Sequence, residues 1–159
     1  MSRAFTKEQD GEDSISDIGE RPVSTHRNLV TREGLAMIDS EVADLREKLA
    51  RAEGEGDRLQ IALISRDLRY WNARRETAEL SEPDEDADVV RFGMSVTIVN
   101  GDDESHTWKI VGEDETDVGQ GKISHVSPMA RALFGKSVGE VATVNGKDWE
   151  IAEISPGAR

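Results

Sequence analysis

The sequence predicts an α+β protein, in which an N-terminal antiparallel helical hairpin is followed by a small antiparallel sheet with one helix packed on it. Apolar residues at heptad spacing recur twice in the first half, glycines separate the two repeats, and the period changes to that of strands after residue 89. The expected segments are a disordered acidic arm at 1–28, the hairpin at 29–80, a linker at 81–88, the sheet domain at 89–154 and a tail at 155–159.

Composition excludes several classes of function. The chain has 159 residues, a net charge of −13 and no cysteine. Phosphate contacts require a surplus of Lys and Arg, so direct binding to bare nucleic acid is not expected. Without cysteine there is no disulfide, no thiolate nucleophile and no cysteine-ligated metal site. The sequence shows neither a secretory signal nor a membrane-spanning run, so we expect a soluble, cytoplasmic monomer.

Residues 1–28 are predicted to be a disordered arm because they contain few large apolar residues. It also contains an acidic run at residues 8–13. Ordering such a segment costs more conformational entropy than the burial of its side chains would return. A solvated tail without a role is the simplest interpretation.

Two heptad seams predict the hairpin. Thr31 is the expected N-cap of the first helix, and Glu33 lies in its first turn. Gly54 and Gly56 interrupt the pattern, and Pro83 ends it. The first seam comprises Leu35, Ile38, Val42, Leu45, Leu49 and Ala52, and the second comprises Ile61, Ile64, Leu68, Trp71, Arg75 and Ala78. Arg74 is assigned to the solvated face, and Arg75 is expected to extend its charged head from the seam toward water.

Strand-like segments follow the linker. Ser127 and Pro128 are expected to begin a short helix that Gly135 ends. An acidic loop at 112–117 is expected to be exposed. The predicted strands are residues 94–99, 106–111, 122–126, 138–144 and 149–154.

No motif for catalysis is present, so we assign no catalytic residues and no cofactor of its own to this chain. The acidic triplet Glu113, Asp114 and Glu115 lacks the alternating ligand spacing of a calcium loop, and the three histidines are scattered. No metal site is therefore predicted.

The hairpin tip is the one place where composition and geometry coincide. Glu55 and Asp57 lie at the end of a thin rod, where they could enter a channel that excludes a globular domain. There they could add a ligand to a metal ion held elsewhere, or orient a water molecule. They could equally be ordinary residues of an exposed turn.

The sequence resembles the GreA/GreB transcript-cleavage and elongation factors of bacterial RNA polymerase. The matching segments are residues 29–34 (LVTREG), 92–93 (FG), 110–115 (IVGEDE), 122–124 (KIS), 127–133 (SPMARAL), 135–136 (GK) and 138–140 (VGE). The resemblance implies an FKBP-like C-terminal fold. It also implies docking at the rim of the polymerase secondary channel, with the coiled coil inserted toward the active site.

The tip departs from the family pattern. In the family, a Gly-Asp pair followed three residues later by Glu helps the polymerase hold its second magnesium ion and a hydrolytic water. Gly56 and Asp57 match the pair, but Gln60 replaces the Glu. Apolar residues follow it, and both helices look several turns shorter. We therefore expect weak or no cleavage stimulation, as in the similar nucleoside diphosphate kinase regulator. The alternative is an active factor that uses Asp57, alone or together with Glu55, and magnesium held by the polymerase.

The resemblance also implies a docking face. Ser127, Pro128, Met129 and Arg131 are the expected polymerase contacts, with Arg131 the strongest candidate because Met129 is also suited to packing on the sheet. Nucleic acid would be reached only through the polymerase complex. A remote alternative is an FKBP-like peptidyl-prolyl isomerase or chaperone, although fold alone does not establish that activity.

Overall fold

The structure is a computed structural model that describes residues 15–156. These residues form two units, one made of residues 15–25 and 36–77, and the other of residues 26–35 and 78–156. Residues 29–35, which the sequence assigns to the hairpin, are grouped with the sheet. The first half of the predicted arm, residues 1–14, lies outside the described residues, as do residues 157–159 of the tail.

The helical hairpin predicted from the heptad seams is confirmed. Helix α1 is Arg32–Glu55 and helix α2 is Arg58–Thr77. At 1.5 Å per residue, the 24 residues of α1 extend about 36 Å and the 20 residues of α2 about 30 Å. The chain reverses at Gly56 and Asp57, slightly later than the predicted turn.

The seams face inward as predicted, although the two helices differ in burial. Ile38, Val42 and Leu45 of α1 are buried. The apolar seam of α2 is only half-buried, namely Ile61, Ile64, Leu68 and Trp71.

The last turn of α2 departs from the predicted seam. Arg74, assigned to the solvated face, is 1% exposed. Arg75 extends its charged head toward water as predicted, since it is exposed and its Nε donates a hydrogen bond to Asp39 Oδ1 at 2.5 Å. Neighbouring side chains leave an α-helix about 100° apart, so the burial of Arg74 lies outside the seam that the heptad spacing predicts.

Residues 15–25 of the predicted arm lie along α2. Arg21 donates a hydrogen bond to Asp67, and Glu20 accepts hydrogen bonds from Arg69. Residues 15–25 thus differ from the predicted disordered arm. Few residues of the arm are large and apolar, but charged and aromatic side chains of α2 supply partners for its polar ones.

The second unit begins with two short strands that sequence reasoning missed. Strand β1 is Leu29–Val30 and strand β2 is Glu79–Leu80, and they pair in parallel. The backbone N–H of Glu79 donates to Asn28 O at 2.9 Å, and that of Ser81 donates to Val30 O at 3.0 Å. Both strands lie where the sequence predicts the outer ends of the hairpin helices.

The main sheet has five strands in the order β5-β4-β3-β7-β6. The strands are β3 Ser95–Val99, β4 Ser105–Val111, β5 Lys122–Ser124, β6 Val141–Val144 and β7 Lys147–Ser155. The pair β4 and β5 is parallel, so the prediction of a wholly antiparallel sheet is wrong there. Between them the chain crosses back through two 3-10 helices, Glu113–Glu115 and Val118–Gln120, as a parallel pair requires.

Helix α3, Pro128–Leu133, packs against the sheet. Its predicted N-cap is confirmed, because Ser127 Oγ accepts a hydrogen bond from the Ala130 N–H at 3.3 Å. The core between them comprises Val90, Phe92, Val96, Ile98, Ile110, Ile123, Ala130, Leu133, Ala142, Trp149 and Ile151. The α+β fold class is confirmed. Across residues 15–156, none of the helices is both long enough and apolar enough to cross a bilayer.

Candidate functional site

The hairpin tip is built by two overlapping caps. Gly56 has a φ of +65°, a left-handed conformation that L side chains rarely adopt. Its N–H donates to Glu53 O at 3.2 Å, and the Asp57 N–H donates to Ala52 O at 3.1 Å. These two bonds are the Schellman arrangement that ends a helix, so Gly56 is required by the backbone of the turn.

Asp57 begins the second helix. Its Oδ1 accepts a hydrogen bond from the Gln60 N–H at 3.2 Å, and its carbonyl oxygen accepts one from the Ile61 N–H at 2.9 Å. An aspartate at this position satisfies N–H groups that the first turn of a helix leaves open. Asp57 therefore has a structural role independent of any role in chemistry.

The tip exposes its acidic groups. Glu53, Glu55 and Asp57 are all exposed, and so is Gln60, where the resemblance expects a carboxylate. Among residues 15–156, no group of three or more His, Asp or Glu side chains is arranged to hold a metal ion. In chemical terms the tip can present carboxylate oxygens to a cation that another molecule holds.

The four predicted docking residues of α3 fall into two pairs. Ser127 caps the helix, and Met129 is half-buried against the sheet core. Pro128 and Arg131 are exposed, and their spacing of three places them on one side of the helix. Only this second pair offers a surface to a partner without disturbing the fold.

The aromatic residues of the sheet unit belong to its core. Phe92 and Trp149 are buried, and Trp108 and Phe134 are half-buried against the same cluster. An isomerase pocket would need convergent aromatic side chains that face a cavity. The packing of these four residues favours the structural role that the sequence already suggested for at least two of them.

Glu115 forms a cluster that sequence reasoning missed. Its Oε2 accepts hydrogen bonds from the backbone N–H groups of Thr31 and Gly112, each at 3.3 Å, and its Oε1 accepts a bond from the Thr31 hydroxyl. Thr31 Oγ1 in turn caps α1 by accepting from the Gly34 N–H at 3.0 Å. The carboxylate thus joins the start of α1 to the first 3-10 helix.

Two glycines leave room for this cluster. A Cβ atom at Gly34 would lie 2.2 Å from Glu115 Cδ and Oε2, and one at Gly112 would lie 2.4 Å from Leu29 O. At Gly112 the obstacle is a backbone oxygen, so that glycine is required by close approach. At Gly34 a side chain would displace the Glu115 carboxyl, so that glycine preserves the cluster.

The prediction of an exposed acidic loop at 112–117 is wrong for residues 112–115. Gly112 is buried, and residues 113–115 are half-buried. The charges of the triplet suggested solvent exposure, but Glu115 is bonded to Thr31, which lies 84 residues earlier in the chain. A signal was present, since Thr31, Gly34, Gly112 and Glu115 all lie within the segments that carry the family resemblance.

Electrostatics at the start of α1 favour the ionised carboxyl of Glu33. Glu33 accepts a hydrogen bond from its own backbone N–H, which lowers the pKa of its carboxyl, and Lys109, Thr31 and Arg32 lower it further. A carboxylate in the first turn also complements the positive end of the helix dipole.

Comparison with known proteins agrees with the resemblance seen in the sequence. The family model described as "Transcription elongation factor, GreA/GreB, C-term" matches residues 84–156. Transcription elongation factor GreA of Maricaulis maris (strain MCS10) is 37% identical over 131 residues, covering 79% of this chain and 68% of the relative. Transcription elongation factor GreA of Hyphomonas neptunium (strain ATCC 15444) is 38% identical over 141 residues, covering 72% of this chain and 86% of the relative.

Solved structures show a weaker likeness. GreA factor homolog 1 of Thermus thermophilus is 20% identical, with a TM-score of 0.39 over 81% of this chain and 99% of that chain. GreA/GreB from Nitrosomonas europaea is 18% identical, with a TM-score of 0.40 over 82% of this chain and 99% of that chain. Superpositions this weak support no conclusion about function.

Proposed function

Because this chain belongs to the GreA/GreB family of transcription elongation factors, we propose that it binds bacterial RNA polymerase at the secondary channel and regulates elongation with weak or no stimulation of transcript cleavage. It acts as a monomeric, cytoplasmic accessory factor with no cofactor of its own. It reaches nucleic acid only through the polymerase complex, and any magnesium ion involved is held by the polymerase.

The chemistry of the tip carries this proposal. Magnesium binds carboxylate oxygens in preference to neutral amides. Asp57 supplies an exposed carboxylate, but Gln60 supplies only an uncharged side chain, and its backbone N–H donates to Oδ1 of Asp57, which caps the helix. A tip with one carboxylate of the expected pair holds a second cation more weakly and orients a hydrolytic water less well.

An active cleavage factor is the second candidate. It is favoured by the exposure of both Asp57 and Glu55 at the end of the hairpin. In that case Asp57 would contribute an oxygen ligand while keeping its cap to α2, since a carboxylate has two oxygens and the cap uses Oδ1.

A transcript-cleavage assay distinguishes the two candidates. The wild-type protein is added to a stalled, backtracked elongation complex, and its binding to the polymerase is measured in the same sample. Binding without RNA shortening above the rate of the polymerase alone is the expected result. Metal-dependent shortening well above that rate would overturn the proposal in favour of the active factor.

Variants at the tip separate chemistry from folding. Asp57→Ser retains an N-cap but removes the carboxylate, whereas Asp57→Ala removes both. Any residual cleavage should be lost in both variants, while binding persists in Asp57→Ser. Gln60→Glu should restore the second carboxylate and raise cleavage. If Gln60→Glu binds and leaves cleavage unchanged, the missing carboxylate does not explain weak activity.

The docking face has its own test. Arg131→Glu reverses an exposed charge on α3 and should weaken polymerase binding without changing the fold, which circular dichroism checks. Lys147→Glu, an equal charge change at another exposed position, is the matched control. Equal affinity of the Arg131→Glu and Lys147→Glu proteins would remove Arg131 from the interface.

A further inference from the structure

Residues 15–25 form a strap along α2. Its central contact is Arg21, whose Nη1 donates to Asp67 Oδ1 at 3.4 Å. The guanidinium carbon of Arg21 lies 4.0 Å from the centre of the Tyr70 ring and 5.8 Å from that of Trp71. The strap therefore combines an ion pair with a cation–π contact on one helix face.

A second ion pair lies beside the first. Arg69 donates from Nε to both carboxylate oxygens of Glu20, at 3.1 and 3.0 Å, and from Nη2 to Oε1 at 2.5 Å. These bonds hold the pKa of the Glu20 carboxyl below its usual range, so the carboxyl is charged at neutral pH. Glu20 and Arg21 are adjacent and opposite in charge, and each pairs with a residue of α2 that carries the charge opposite to its own. This pattern fixes the register of the strap along the helix.

The strap is nevertheless weakly held. The paired side chains remain accessible, with exposures of 36% and 30% for Arg21 and Asp67, and 57% and 64% for Arg69 and Glu20. Exposed ion pairs are individually weak and are screened by salt. None of residues 15–25 is fully buried. The strap can therefore leave α2 without opening the seam between the two helices.

We propose that the strap is an autoinhibitory element of the hairpin. When docked, it adds a third chain segment to a two-helix rod and covers the ring of Tyr70. When released, it leaves the thinner rod that a narrow channel can admit. A partner surface that offers its own charges to Asp67 and Arg69 displaces it. This inference rests on the proposed function, because it assumes that the hairpin enters a channel of the polymerase.

Charge reversal in the full-length protein tests the docking of the strap. Glu20→Arg places like charges beside Arg69, and Arg21→Glu places like charges beside Asp67. The double variant Glu20→Arg with Arg69→Glu restores the pair in reverse. Glu47→Arg is the matched control, since Glu47 pairs on α1 with Arg51 at 3.8 Å and carries the same charge change. The backbone NMR shifts of residues 15–25 should move toward free-chain values in the two single variants and recover in the double variant.

A chemical link tests the inhibition. The chain has no cysteine, so Glu20→Cys with Arg69→Cys can be joined selectively by a short, cleavable bis-thiol reagent. Affinity for core RNA polymerase is then measured for linked, cleaved, charge-reversed and wild-type proteins. The linked protein should bind at least about tenfold more weakly than the cleaved one. The charge-reversed variants should bind about tenfold more tightly than the wild type if the strap is open in roughly a tenth of wild-type molecules.

The outcomes separate this proposal from the proposed function. If all forms bind with one affinity, the strap is not inhibitory and the proposed function stands. If no form binds, including the released variants, both are wrong. If released variants bind and the linked protein does not, the inhibition is confirmed. A Glu47→Arg protein that gains affinity as the released variants do would overturn it, because net charge alone would then explain the effect.

Discussion

The hairpin and the sheet unit bury their side chains in different ways. In the sheet unit, Val96, Ile110 and Leu133 are 0% exposed, with neighbours on adjacent strands and on α3. In α2 the apolar seam is half-buried, and Arg74 is the only buried residue. A strand within a covered sheet has partners on both sides and above, whereas each helix of a pair has one main neighbour. The sheet unit therefore depends on apolar packing, and the hairpin also depends on caps and polar contacts.

The largest expected effect tests this contrast directly. Ile110→Ala removes a fully buried side chain and should lower the free energy of unfolding of the sheet unit by about 2–5 kcal/mol. Ile64→Ala, at a half-buried seam position, should cost the hairpin about 1–2 kcal/mol because part of that side chain already contacts water. Native-state hydrogen exchange measures each unit separately. Equal losses would show that the two units are packed alike.

The second effect compares two glycines of α1. Gly34→Ala forces Glu115 away from Thr31, because the new Cβ would lie 2.2 Å from the carboxyl group, and it should cost about 1–3 kcal/mol. Gly54→Ala is the matched control, since a Cβ there meets open space and alanine favours a helix by about 1 kcal/mol. Thermal unfolding should shift in opposite directions. A Gly34→Ala protein as stable as the wild type would show that the Glu115 cluster adjusts freely.

A third effect concerns backbone conformation at the tip. Gly56→Ala introduces no clash, because a Cβ there also meets open space, but the φ of +65° should make it cost about 1–2 kcal/mol. Gly56→Asn should cost less, since asparagine tolerates this conformation better. Hydrogen exchange across the tip gives the measurement. An alanine that is as well tolerated as asparagine would mean that the turn rearranges.

The smallest effect is the pH dependence of the strap. The pKa of Glu20 is lowered from its ordinary value of 4.5 by Arg69, so the ion pair contributes stability that is present above pH 4.5 and is lost as the pH falls through the lowered pKa. Carbon-detected NMR titration of the Glu20 carboxyl should show the lowered pKa, and Arg69→Gln should return it toward 4.5. A pKa that Arg69→Gln leaves unchanged would contradict the contact.

Much of the candidate site follows from local rules. The Gly56 and Asp57 turn and the Ser127 cap were predictable because each depends on residues at most five positions apart. The division of the docking face was predictable only in part. Residue chemistry suggested packing for Met129 and a contact role for Arg131, but that Pro128 is exposed on the same side as Arg131 is seen only in the folded helix.

Other features had no local signal strong enough to outweigh composition. The charges of residues 113–115 and the small number of large apolar side chains in residues 15–25 suggested solvent exposure. Each segment instead finds partners far along the chain, Glu115 with Thr31 and Glu20 with Arg69. Composition indicates how much apolar surface a segment can bury, but it does not show which distant residues will pair with the polar side chains of that segment.

The sequence by itself determined the helices, the turn between them, most of the strands and the neutral residue at position 60 of the tip, because periodicity, caps and residue chemistry act over a few neighbouring residues. The tertiary structure alone decided that β5 runs parallel to β4, that Arg74 and not Arg75 is buried, and that Glu115 anchors the start of α1. Each of these depends on which distant segments meet, and that choice is made by the packing of the whole unit.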